Sequence, residues 1–210
     1  MIKKEIVQQY VSAFWEYLII PIKKIFKGED RIQNLDDLRN FIQTKSSIIT
    51  QHTLYGYLKT RIGTRHVMMF NDEQFSKSID IAKWNIYVIA IQDLCLYCFS
   101  FLIGSNYFDD KELPRNIYYQ ILAEEKKNGL QDDIYQKAIE KFDKKILEIN
   151  WNNHWQGDCF YESSYALYRW APIADELKKL DKRIVINSME LKWDNLKKDF
   201  VKLISLSKLT

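Results

Sequence analysis

Along most of this chain apolar residues recur at intervals of three and four, the period of a helix with one buried face. The first such stretch covers 3–26, with Ile6, Tyr10, Phe14, Tyr17 (or Leu18) and Ile22 on one face. Pro21 falls inside it and predicts a kink or an end near Ile20, and Gly28 suits a C-terminal cap. A second helix is predicted over 35–49, continuing to about Arg61. Asn34 is its N-cap, and Asp36 and Asp37 lie in its first turn, where carboxylates favour the positive end of the helix dipole. Residues 62–70 then read as a loop.

Asn71 and Asp72, followed by Glu73 or Gln74, open the most apolar segment, which is densest over 79–103 and stops at Gly104. Asp80, Lys83, Asn85, Gln92 and Asp93 interrupt it. That many polar groups do not suit a bilayer-spanning helix, so it is expected at the centre of a bundle. After a loop over 105–110, Leu113–Pro114 restarts a helix that stops at Asn128–Gly129. Residues 130–151 follow, with Ile134, Ala138, Phe142 and Ile146 on one side. A polar loop over 152–158 and a short helix over 159–170 come next. Pro172 is expected to begin the last long helix, its apolar positions being Ile173, Leu177, Leu180, Ile184, Met189, Leu196, Phe200 and Leu203. The six glycines and three prolines are too few and too scattered to punctuate strands. The expected fold is all-α: an irregular bundle of six or seven helices around the apolar helix at about 79–103, in a single domain over 1–210.

Composition changes this picture little. With 210 residues, 47% hydrophobic and 28% charged, the chain is of the ordinary globular class. Its net charge is +3, but Lys alternates with Asp and Glu, so no basic stripe marks a sequence-specific nucleic-acid binder. Three cysteines make a poor disulfide framework and fit a reducing compartment. No cleavable secretory leader is read at the N-terminus, where Glu5, Gln8 and Gln9 follow Lys3 and Lys4.

Much chemistry is excluded by motif. There is no G-x-G for a dinucleotide, no P-loop and no G-x-S-x-G nucleophile elbow. The three histidines give no H-E-x-x-H. Ile49, Gly63 and Trp151 stand three residues before them, where a helical di-iron site would need Glu. No cofactor and no metal are expected, and no residue is assigned a catalytic role.

Four features remain. Cys95 and Cys98 form a C-x-x-C, but they lie mid-helix among apolar residues and read as inert core thiols. The segment 55–66 gathers Lys59, Arg61, Arg65 and His66 around Gly63. Its guanidinium groups could grip a phosphate- or carboxylate-bearing ligand, or an acidic partner. Residues 151–168 collect Trp151, His154, Trp155, Asp158, Cys159, Tyr161 and Glu162. They are expected to be an aromatic corner closing the core rather than an acid–base site. Finally, Phe14 and Trp15 lie between basic ends that include Lys23 and Lys24, a pattern that suits a membrane surface or a partner helix.

The run Tyr168-Arg169-Trp170-Ala171-Pro172-Ile173-Ala174-Asp175-Glu176-Leu177 resembles segments of a family of uncharacterised helical proteins of alphaproteobacteria. So does Leu54-Tyr55-Gly56-Tyr57-Leu58-Lys59-Thr60-Arg61-Ile62-Gly63-Thr64-Arg65. The resemblance implies a cytoplasmic bacterial protein, or a mitochondrial one by descent, and carries no site residues over. Taken together, the sequence leads to a non-enzymatic interaction or assembly protein with a protein partner. A helical enzyme or binding protein for an acidic ligand at 59–66 is the first alternative. A peripheral membrane protein using the N-terminal helix is the second. Nothing in the pattern sets an oligomeric state.

Overall fold

The computed structural model describes residues 31–63, 72–107 and 109–204. By its contacts, the part from Ile32 onward forms a compact unit of its own. The expected first helix, with Pro21, Gly28, Phe14, Trp15, Lys23 and Lys24, lies outside the described residues, as do Arg65 and His66.

Among the described residues of that body there are six α-helices: α1 (Leu35–Ile62), α2 (Glu73–Gly104), α3 (Leu113–Lys127), α4 (Asp132–Glu148), α5 (Tyr161–Trp170) and α6 (Asp175–Leu203). A 3-10 turn over His154–Gln156 precedes α5. The fold is the expected all-α bundle around a central apolar helix.

Local chemistry sets most boundaries. The Asn34 side chain accepts from the Asp37 amide at 2.9 Å, and the Asp37 carboxylate accepts in return from the Gln33 amide at 3.1 Å. Two amides that the first turn would otherwise orphan are thus satisfied. Asp72 caps α2 through the Phe75 amide at 2.9 Å. Behind α3, Gly129 takes the left-handed φ of 104° and Leu130 N donates to Glu125 O at 3.0 Å, which turns the chain into α4. One boundary differs from expectation. The last helix begins at Asp175, not Pro172, because Ala174 is extended (φ −55°, ψ 139°) and Ile173 N closes a turn onto Ala171 O.

α2 is the hub. It packs against α1, α3, α4, α5 and the 3-10 turn, and Leu94, Cys95, Leu96, Cys98 and Phe99 are wholly buried. By length and composition this helix could cross a membrane, but 89% of its most apolar window is buried inside the bundle. α6 closes one side by packing on α5 and α1. Its Phe200 ring lies 5.4 Å from Phe41, 5.7 Å from Tyr97 and 5.7 Å from Phe101, while Trp193 stacks on Phe160 at 4.5 Å. The two ends of this body meet where Ile32 N donates to Leu203 O at 2.9 Å, beside an isolated parallel bridge of Ile32 with Ile204.

Gly104 ends α2 against the 150–156 turn. A Cβ there would lie 2.5 Å from Asn152 O and 2.9 Å from Trp155 Nε1. On an open helix Gly→Ala stabilises by roughly 1 kcal/mol. Here the sign reverses, since the nearer obstacle is backbone. Gly104→Ala is expected to cost about 1–3 kcal/mol by overpacking, read as a lower urea midpoint at unchanged m-value.

Candidate functional site

Among the described residues three carboxylates are buried, and each is hydrogen-bonded. Asp93, on α2, is 0% exposed. The Ser163 amide at the start of α5 donates to it at 2.8 Å, Gln92 Nε2 at 3.3 Å and Lys145 Nζ of α4 at 3.3 Å. Lys145 also donates to Glu162 at 2.8 Å, and Glu162 accepts from Gln92 at 3.2 Å and pairs with Lys141. Burial pushes the Asp93 carboxyl up, against the opposing pull of Lys145 and the Ser163 amide. At Glu162 burial works the same way, but the two ammonium groups outweigh it and hold the carboxyl down at about 2. Lys145 is held above its ordinary range: burial opposes its charge, and Asp93 and Glu162 more than compensate. This is a buried ion network tying α2, α4 and α5 together.

Glu125 is the second. It accepts from Tyr87 at 2.7 Å, from Gln43 at 2.8 Å and from Asn128 at 3.1 Å, so that it joins α1, α2 and α3. Burial, then the Glu125 charge, pushes the Tyr87 phenol well up, so it stays a hydroxyl donor.

Asp181 is the third, and it bears on the expected anion site. The Arg61 guanidinium grips Asp181 through both Nε and an Nη, and Tyr57 donates to the same carboxylate at 2.9 Å. Asp181 is 4% exposed. Arg61 is thus paired within its own chain and ties α1 to α6. Lys59 is exposed to solvent. Of the four residues proposed for that site, the structure describes these two and does not bring them onto a common acceptor.

Cys95 and Cys98 are free and wholly buried, and burial drives both thiols up. They are core residues here. Cys159 is free as well, its Sγ 2.8 Å from His154 O, with its thiol pushed up by burial to about 11. The 151–168 segment does close the core, through Trp151, Cys159 and Phe160. His154 is half-buried and burial lowers its pKa, and no carboxylate among the described residues is bonded to it. Among the described residues no group of three or more His, Cys, Asp or Glu could hold a metal ion. One open groove is lined by Asn34, Asp36, Asn116 and Tyr119, and another by Tyr165, Tyr168, Arg169 and Lys178. Asp93, Glu162 and His154 line neither.

The feature that sequence reading missed is on α6. Its inner face is Asp181, Val185, Met189, Trp193, Leu196 and Phe200. Leu177, Leu180 and Ile184, expected on that face, point outward instead, 40%, 77% and 71% exposed, and Leu191 joins them at 62%. The steps between these four are three, four and seven residues, so they form one stripe on the far side of the helix. The helix has two apolar faces, and the body covers one. The legible signal was the spacing itself: Leu177, Leu180, Ile184 and Leu191 are in phase with one another, and out of phase with Val185, Met189 and Phe200.

Comparison with protein-family models, with curated proteins and with solved structures gives no match.

Proposed function

We propose that this chain is a non-enzymatic interaction or assembly protein that docks through the outer stripe of α6. The observation that carries this reading is the exposure of Leu177, Leu180, Ile184 and Leu191 on one side of a single helix. Single exposed apolar side chains are ordinary, but four in helical register over about 21 Å of helix make a continuous surface whose covering would be favourable. A helix presenting anchors at i, i+3 and i+7 is a recurrent mode of helix recognition. The buried polar groups support the same reading from the other side. Asp93, Glu125 and Asp181 are each spent on joining helices, which leaves the body a rigid scaffold. The acidic-ligand alternative is weakened by the Arg61–Asp181 pair.

The test is the native mass of the particle that contains the full chain, in detergent-free extract of its own cell, for wild type and for Ile184→Glu. Wild type is expected to travel above the mass of one chain with stoichiometric companions, whether other proteins or further copies. The variant is expected to shed them while keeping its helical circular dichroism. A wild-type particle of one bare chain would end the assembly reading.

A further inference from the structure

We infer that the occupant of the α6 stripe is the α6 stripe of a second copy of this chain, lying antiparallel to the first. This rests on the docking reading above and goes beyond it by naming the partner and its register. With Leu177 and Leu180 at the first two seam positions of a heptad, the seam continues through Ile184, Asn187, Leu191 and Asp194. The residues flanking it on one side are then Glu176, Arg183, Glu190 and Lys197, alternating in sign every seven residues.

That alternation discriminates between registers. In one antiparallel register Leu180 packs on Leu191 of the second copy and Ile184 beside Asn187 of the second copy. The same register sets Arg183 opposite Glu190 and Glu176 opposite Lys197. The twofold axis repeats each contact, so four oppositely charged pairs border the seam. Sliding one helix by a heptad sets Arg183 against its own copy and Glu176 against Glu190, which repel. A parallel pair stacks Asp194 on Asp194 and sets Glu176 beside Asp181, with only Ser188 and Asn195 opposite the remaining charges. The antiparallel register also sets Leu177 beside Asp194 of the second copy, so it is the bordering charges, with Leu180 on Leu191, that single out one arrangement.

Three of these four charges, Glu176, Arg183 and Glu190, have no ion-pair partner among the described residues, while Lys197 pairs with Asp194 of its own helix and would exchange that exposed partner for Glu176 of the second copy. An apolar seam bordered by self-complementary charge is what an isologous interface needs and what a solvated helix face does not.

The experiment is sedimentation equilibrium on the full purified chain, from about 1 µM to about 500 µM, where mass action moves a weak dimer across its midpoint. Wild type is expected to shift from the mass of one chain to that of two. Ile184→Glu is expected to weaken association by more than about tenfold. Arg183→Glu sets Glu against Glu190 of the second copy and is expected to weaken it several-fold. Arg183→Glu with Glu190→Arg exchanges the charges of each pair and is expected to restore the wild-type curve, which neither a parallel pair nor the slipped register would do. Arg183 and Ile184 are exposed and Glu190 is half-buried, and none belongs to the core, so circular dichroism should not change. A wild-type mass of one chain throughout, whether the stripe is bare or covered from within the chain, overturns the inference. So does failure of the double exchange to restore association. If the purified chain is single while Ile184→Glu strips a different protein from the native particle, the second copy is wrong and the docking reading stands. If Ile184→Glu changes neither measurement, both fall.

Discussion

Replacing Lys145 with Met is expected to destabilise the folded body by about 3–5 kcal/mol at pH 7, the cost of leaving a buried charge without its counter-ion. Met keeps the volume of the side chain, so the loss is electrostatic. Asp93, wholly buried, would keep the Ser163 amide and Gln92 but lose the one cation paired with it among the described residues, while Glu162 would retain Lys141. Asp93→Asn should relieve the strain at its source. Alone it is expected to cost little, and combined with Lys145→Met it should recover most of the loss, a coupling that a double-mutant cycle in urea reads directly. The pH dependence has a definite sign. Asp93 is raised by burial, so its ionised form weighs against the folded state at neutral pH and that penalty disappears once it protonates. Glu162 is depressed, so its contribution is complete above its ordinary 4.5 and is withdrawn as the pH falls toward 2. Both shifts make the damage of Lys145→Met smaller at pH 3 than at pH 7. An equal loss at the two pH values would show that the side chain matters for packing alone.

Phe200→Ala is the second large effect. Phe200 is 0% exposed and meets three rings, Phe41 on α1 and Tyr97 and Phe101 on α2. Those rings belong to long helices held elsewhere along their length, so the space would not collapse. The expected cost is about 3–5 kcal/mol, or roughly 10 °C in Tm for a body of this size. Val201→Ala, one residue on and half exposed, should stay within about 0.5 kcal/mol. Similar values for the two variants would mean that the end of α6 does not dock as described.

The fold was legible where it is written locally. Asn34, Asp72, Pro114 and Asn128–Gly129 each carry their own reason for starting or stopping a helix, and each does so. The apolar density over 79–103 needs only composition to place it at the centre. What periodicity left undetermined is which of two faces a helix buries. On α6 the stripe of Leu177, Leu180 and Ile184 is as regular as that of Val185, Met189 and Phe200, and the choice is made by neighbours remote in sequence. Arg61 is similar. Its chemistry announced an anion partner, but that partner is Asp181, 120 residues away, supplied by the protein itself. Both cases turn on contacts between distant segments, which single-sequence patterns do not encode.

The three interior sulfhydryls have a practical consequence. Cys95, Cys98 and Cys159 are the chain's complete set, and the folded body turns none of them outward. A cysteine introduced on the outer side of α6 would therefore be the single thiol within reach of a maleimide, with no native residue removed first. Probes of distance, mobility or cross-linking could be attached at one chosen point on the surface, in the natural background of the protein.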